Sequence, residues 1–384
     1  MTDARRECIL LIDDDRDVTD ALSILLEREG RTTIVCADLE SAELALTHFS
    51  VTHIVTDVQF SGAFGFEGLH SLARMRTLRP GCRIILMTGY ATDALRTTAL
   101  QTGAAAVLSK PFDIDELEAA LGNNQPLDGS DYDVVRIPPI DEILRGGLLD
   151  SAFQPIVQLS PGNATFAFEA LTRMNGSWRL GGPAELFDYA ARRDRLTDLN
   201  VAAMQRAISQ SPALPVDASI FINVDPSAFT NSTVVKSLRD ATARAGIALD
   251  RVVLEITERS AFHDCEASSR TLEDLRALGV RFALDDHGSA YSHLSVINRI
   301  RPSFIKISQS FGTGFENDET KMRIVRHVAA LARDFGARTV LEGIECAATA
   351  AAAADAGIDL AQGYYFGRPS PAAQWAAGVA ACAA

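Results

Sequence analysis

The sequence predicts an α/β protein of two domains, a small doubly wound parallel sheet followed by a (β/α)8 barrel. Three observations carry that expectation. Residues 8–120 alternate short apolar runs with helix-patterned segments five times, as parallel βα units do. A stretch rich in turn formers, Gly122 to Asp131, then breaks the periodicity and reads as a linker. From about Asp141 the alternation resumes and continues to about Pro371, close to the size of a (β/α)8 barrel. We place the domains at 1–122 and 141–384, with a linker over 123–140; a chain of 384 residues gives each its own core.

Bulk properties narrow the function. The net charge of −14 disfavours a nucleic acid polymer or an anionic membrane surface as partner, because both attract basic patches. An anionic small ligand stays open, since bound metal ions can supply positive charge locally. The six cysteines are scattered, without a CxxC pair, which points to reduced, packing cysteines of a cytoplasmic protein. The apolar run after Arg5-Arg6 is too short for a signal peptide, and no clean 18-residue apolar span exists.

In the first domain, strand-like runs fall at Cys8–Ile12, Thr33–Ala37, Ile54–Thr56, Arg83–Met87 and Ala106–Leu108. Helical patterns separate them at Val18–Arg28, Leu39–Phe49 and Leu69–Leu78. Asp13 and Asp14 follow the first strand, Asp57 the third, Thr88 ends the fourth and Lys110 follows the fifth. A doubly wound sheet gathers all of these at its C-terminal edge. Three carboxylates there suit Mg²⁺, and a carboxylate beside the ion can attack a phosphoryl donor. A lysine and a hydroxyl would neutralise and read the new charge. Singly, each has an ordinary explanation as a turn or loop residue; their convergence does not.

These residues resemble the receiver domain of two-component response regulators, a flavodoxin-like fold, over about residues 6–122. The resemblance implies that Asp57 is the phosphoacceptor, that Asp13, Asp14 and Asp57 hold Mg²⁺, and that Thr88 and Lys110 complete the switch. A sensor histidine kinase is the implied partner. The stretch after Asp57 lacks the usual proline, and Val107 stands where an aromatic switch residue is common.

In the second domain, five apolar runs end on or beside an acid or amide: Glu169, Asn223, Glu255, Asp285-Asp286 and Glu342. A sixth carries Lys306. The spacings of 54, 32, 30, 21 and 36 residues are each one or two βα units. Barrel strands deliver such residues to one end, where hard oxygen donors suit Mg²⁺ or Mn²⁺. Two ions can activate a water and stabilise the leaving oxygen of a phosphodiester. Lys306 would offset charge on the water or the transition state. Glu342 could serve as metal ligand or general base. A lone lysine in an apolar strand can instead snorkel to the edge, and Asp286 could cap the next helix. His287 and His293 are read as polar loop residues.

The motifs in order are Gln154-Pro155-Ile156, Glu169-Ala170-Leu171-Thr172-Arg173, Asn223-Val224-Asp225-Pro226, Leu254-Glu255-Ile256-Thr257-Glu258, Asp285-Asp286-His287-Gly288, Ile305-Lys306-Ile307, Glu342-Gly343-Ile344-Glu345 and Gln362-Gly363-Tyr364. Over about residues 141–375 they resemble the EAL family of cyclic di-GMP phosphodiesterases, with a TIM-barrel-like fold. The resemblance implies hydrolysis of cyclic di-GMP to linear pGpG with two Mg²⁺ or Mn²⁺ ions, and a homodimer or higher homo-oligomer. Glu169, Asn223, Glu255, Asp285 and Asp286 become metal-site residues, and Lys306 positions water. Glu342 becomes base or ligand, while Glu258 anchors the loop after Asp286. Gln154, Leu171 and Arg173 contact the dinucleotide, and Glu345 and Gln362 support the site, Gln362 on its substrate side. Departures gather at His287, Ser289, Ala290 and His293, with Ser308 and Asp225 elsewhere. The alternative they allow is a catalytically weak or inactive domain acting as cyclic di-GMP sensor or partner-docking module.

Overall fold

A computed structural model describes residues 7–376 except 29, 59–66, 90–91, 123–132, 146, 161, 176–181, 231–232, 258–265 and 288–293. The chain divides into two compact units, Met1–Leu148 with Met174–Arg195, and Leu149–Arg173 with Leu196–Ala384.

In the first unit, β1 (Glu7–Ile12), β2 (Arg31–Cys36), β3 (His53–Asp57), β4 (Arg83–Thr88), β5 (Ala106–Ser109) and β6 (Asp133–Ile137) form a sheet in the order β5-β4-β3-β1-β2-β6. All its pairs are parallel. The first four of the apolar runs expected as strands are largely buried and the fifth is half-buried. Ile9, Leu11, Val35, Val55, Ile85 and Met87 make one core with Leu117 and Leu121 of the helix Ile114–Leu121, as a sheet covered by helices requires. Local signals set the helix starts. Asp15 accepts hydrogen bonds from the amides of Asp17 and Val18 to open Arg16–Leu25, and Asp38 does so from Ser41 to open Leu39–His48.

Two features depart from a five-stranded reading. Within 123–140, expected as linker, Asp133–Ile137 forms β6 and extends β2 in register from Thr32↔Asp133 to Cys36↔Ile137. Its Val-Val-Arg-Ile run is strand-prone but lies just past the turn formers that marked the linker. The segment Met174–Arg195 also belongs to this unit. In its helix Pro183–Arg192, Tyr189 is buried and donates to Asp38 Oδ2 at 3.3 Å, and Arg193, just past the helix end, pairs with Glu40 at 2.7 Å.

The second unit is a closed barrel. Its strands are β7 (Leu149–Gln158), β8 (Thr165–Met174), β9 (Ser219–Asn223), β10 (Val252–Thr257), β11 (Arg281–His287), β12 (Phe304–Ile307), β13 (Arg338–Leu341) and β14 (Leu360–Gln362). Strands β8 to β14 run parallel, but β7 pairs with β14 antiparallel. Only residues 159–164 join β7 to β8. A parallel crossover needs a dozen or more residues, so this connection must be a hairpin and β7 must run backwards.

One residue from each strand fills the barrel interior: Ile156, Ala167, Phe221, Val253, Ala283, Phe304, Val340 and Leu360. Outward-facing Phe168, Ile220, Ile222, Leu254, Phe282 and Ile305 pack under the surrounding helices. No helix of the described residues is long and apolar enough to cross a membrane.

Candidate functional site

The interior layer fixes the barrel site by parity. Strand side chains alternate in direction, so residues two apart share a face. Two residues beyond Ala167, Phe221, Val253, Ala283, Phe304, Val340 and Leu360 stand Glu169, Asn223, Glu255, Asp285, Lys306, Glu342 and Gln362. On the reversed β7 the same step is taken backwards from Ile156, to Gln154. All eight strands thus place a polar residue directly above the apolar plug.

Lys306 is the centre of this layer. Its Nζ lies 2.8 Å from Glu342 Oε1, 3.0 Å from Glu169 Oε2, 3.0 Å from Glu255 Oε1 and 3.3 Å from Asp285 Oδ1, with the side chain only 1% exposed. It does not snorkel. Glu169 also accepts from Asn223 Nδ2 at 2.9 Å and from Gln362 Nε2 at 2.7 Å. Gln362 donates in turn to Gln154 Oε1 at 3.0 Å, and Gln154 to the Gly367 carbonyl at 3.1 Å.

The charge balance is negative. Four carboxylates surround one ammonium, and neither carboxylate oxygen of the fully buried Glu255 accepts a well-directed hydrogen bond among the described residues. Burial, reinforced by the Glu169 charge, pushes the Glu255 carboxyl well above its ordinary value. Burial also pushes Glu342 up to about 7, against the pull of Lys306. For Glu169, burial is outweighed by Lys306, Gln362 and Asn223, and its carboxyl sits below the usual range. Burial opposes the Lys306 charge, yet the carboxylates, Asp285 foremost, hold its pKa far above normal. Clustered hard oxygens with surplus negative charge fit divalent cations.

Leu171 and Arg173 share the face of Glu169 on β8, farther along the strand, and are half-buried. The Asp286 backbone lies in β11, but its side chain, Glu258 and residues 288–293 lie outside what is described. Glu345 is exposed and makes no hydrogen bond or ion pair among the described residues. Sequence reasoning passed over the Gly367 carbonyl, because a backbone acceptor leaves no trace in residue identity.

At the C-terminal edge of the first unit, carboxylate oxygens of Asp13, Asp14 and Asp57 lie within 4.8 Å of one another. Lys110 Nζ reaches Asp13 Oδ2 at 2.6 Å and Asp57 Oδ2 at 3.3 Å. Burial raises the Asp13 pKa despite Lys110. Burial opposes the Lys110 charge, but Asp13 and Asp57 raise its pKa overall. Thr88 is buried at the end of β4, whose neighbours are β3 and β5. This donor set, three carboxylates with one lysine beside them, also fits a divalent cation.

The fold and both sites define a receiver joined to a metal-type barrel, and comparison with known proteins agrees. The response regulator receiver domain matches residues 9–122 and the EAL domain matches residues 140–369. The chain belongs to the EAL domain family, with a receiver domain ahead of the barrel. The cyclic di-GMP phosphodiesterase RocR of Pseudomonas aeruginosa is 27% identical over 369 residues, spanning 91% of this chain and 90% of RocR. The bifunctional diguanylate cyclase/cyclic di-GMP phosphodiesterase MucR of the same species is 30% identical over 233 residues, 59% of this chain and 34% of MucR. The chain thus spans about a third of the length of several curated relatives that it matches. Among solved structures, the MucR phosphodiesterase complex with c-di-GMP is 28% identical with a TM-score of 0.55, covering 61% of this chain and 97% of that one. A manganese/cy-diGMP complex of Klebsiella pneumoniae BlrP1 is 29% identical with a TM-score of 0.54, covering 61% and 58%.

Proposed function

We propose that this chain is a response regulator that hydrolyses cyclic di-GMP to linear pGpG under the control of phosphorylation at Asp57. The observation that carries the catalytic half is the ring of four carboxylates around Lys306, raised by β8, β10, β11 and the end of β13 above an apolar plug. Glu169, Asn223, Glu255, Asp285 and Asp286 would hold two Mg²⁺ or Mn²⁺ ions. When bound, such ions supply the positive charge that makes water nucleophilic and stabilises the departing oxygen.

The remaining work falls to side chains. Lys306 orients the attacking water and offsets charge on the phosphorus centre. Glu342, 2.8 Å from the Lys306 ammonium, is placed to take the water proton. The water oxygen bonds to phosphorus and the P–O3′ bond breaks; the leaving 3′ oxygen takes a proton from solvent, and Glu342 returns to solvent the proton it accepted. Gln154, Leu171, Arg173 and Gln362 seat the dinucleotide; the Arg173 fork suits a phosphate or a guanine edge.

In the receiver, Asp13, Asp14 and Asp57 would hold Mg²⁺, whose charge would offset that of an incoming phosphoryl group. Asp57 takes that group from the phosphohistidine of a sensor histidine kinase, and Thr88 and Lys110 read its charge. The full protein acts in the cytoplasm as a homo-oligomer.

Turnover of cyclic di-GMP with Mg²⁺ or Mn²⁺, with and without a phosphoryl mimic, tests this reading. Wild type is expected to release pGpG, while Glu169→Ala and Glu342→Ala are expected to be nearly inert. Wild-type rates in both variants sink the assignment. Binding of the dinucleotide without its consumption would make the chain a sensor instead.

A further inference from the structure

Glu342 is held through its main chain as well as through its carboxylate. Its N–H donates to the Ile307 carbonyl at 3.0 Å, and Ile344 donates to the Gln362 carbonyl at 3.1 Å. Between them Gly343 adopts φ +75°, a conformation natural to glycine. The ladder joining β12 to β13 ends at Ile307↔Leu341, one residue short of Glu342.

Beyond that point a second glycine sets the spacing. Gly312, buried at the end of the turn Gln309–Gly312 after β12, lies directly against the Glu342 peptide. A Cβ added there would overlap the Glu342 carbonyl oxygen and lie 2.9 Å from its carbon. Gly312 has no left-handed φ, so the demand is for space alone. The contact is mutual, because a Cβ on Gly343 would come 2.9 Å from Gln309 Cβ. The turns that follow Lys306 and carry Glu342 therefore mesh backbone on backbone.

We propose that Gly312 is a positioning residue for the phosphodiesterase reaction: by admitting the Glu342 carbonyl it sets the distance from Glu342 to Lys306, 2.8 Å here. Gly312 touches no reacting atom and acts only through Glu342, and the proposal rests on the phosphodiesterase reading above. Any side chain at 312 must force the 309–312 turn and the Glu342 peptide apart. A misplacement near 1 Å in a catalytic group costs on the order of 100-fold in rate.

The test compares full-length wild type, Gly312→Ala, Glu342→Gln and the double variant. Turnover of cyclic di-GMP with Mn²⁺, thermal unfolding and amide hydrogen exchange are measured. Gly312→Ala is expected to lose on the order of 100-fold in kcat with KM nearly unchanged, and to cost nothing further in the Glu342→Gln background, since residues acting as one unit are not additive. The amides of Glu342 and Ile344 should exchange faster in Gly312→Ala, while those of Val253 and Leu254 stay as in wild type. The proposal is overturned by a wild-type kcat, by an equal further loss in the Glu342→Gln background, by unchanged exchange at Glu342, or by loss of cooperative unfolding. An inactive wild type would remove the phosphodiesterase reading, and exchange at Glu342 alone would then decide whether Gly312 sets that peptide.

Discussion

At Lys306 the chain buries an ammonium among four carboxylates, and at Arg31 it buries a guanidinium against Glu7 at 2.7 Å and Glu118 at 2.7 Å. The two clusters predict opposite responses to substitution. Lys306→Met leaves the acidic ring uncompensated, so turnover should fall by about 100- to 1000-fold while divalent ions still bind, as calorimetry with Mn²⁺ would show. Arg31→Met should destabilise the receiver unit by about 3–5 kcal/mol, because it strands buried carboxylates; denaturant unfolding measures this. Glu118 adds a pH signature. Arg31 holds its carboxyl below the ordinary 4.5, so its contribution is complete above that unfolded value. That contribution fades as pH falls through the lower folded value. Receiver stability should therefore decline below pH 4.5, and Arg31→Met should flatten the decline.

At the scale of the element, the eight-residue plug converts strand order into a site. Phe304 fills it from β12, touches Phe221 and Phe166 at centroid distances of 5.0 and 5.7 Å, and stands two residues below Lys306. Phe304→Ala should cost about 3–5 kcal/mol in barrel unfolding and lower activity through the loosened strand. The alternation of apolar and polar residues was legible in the sequence, since Phe221 and Asn223, or Val253 and Glu255, sit two apart in plain view. The reversal of β7 was not read, although six joining residues already exclude a helical crossover. Strand β6 was hidden for another reason. A short β-branched run means strand only when an open sheet edge is there to receive it, and the edge of β2 is a tertiary fact.

For the molecule as a whole, receiver and barrel are separate compact units, with Met174–Arg195 packed in the first. Metal dependence should reach both: EDTA should abolish dinucleotide turnover and phosphorylation by a small phosphodonor, and added Mn²⁺ or Mg²⁺ should restore them. Asp57→Asn should remove any response of turnover to the phosphoryl donor while basal turnover persists. The sequence by itself pointed to an α/β fold of two βα-patterned stretches, to most of their strands and to polar residues at the strand ends, because those follow from local periodicity and from residue chemistry. Only the tertiary structure decided that four carboxylates share one lysine, that β7 enters backwards to present Gln154, and that Gly312 lies against Glu342. Those depend on barrel closure, which brings strands far apart in sequence to within a few ångströms. The ring at the strand ends is written in the order of the chain, and its charge balance in the closure of the barrel.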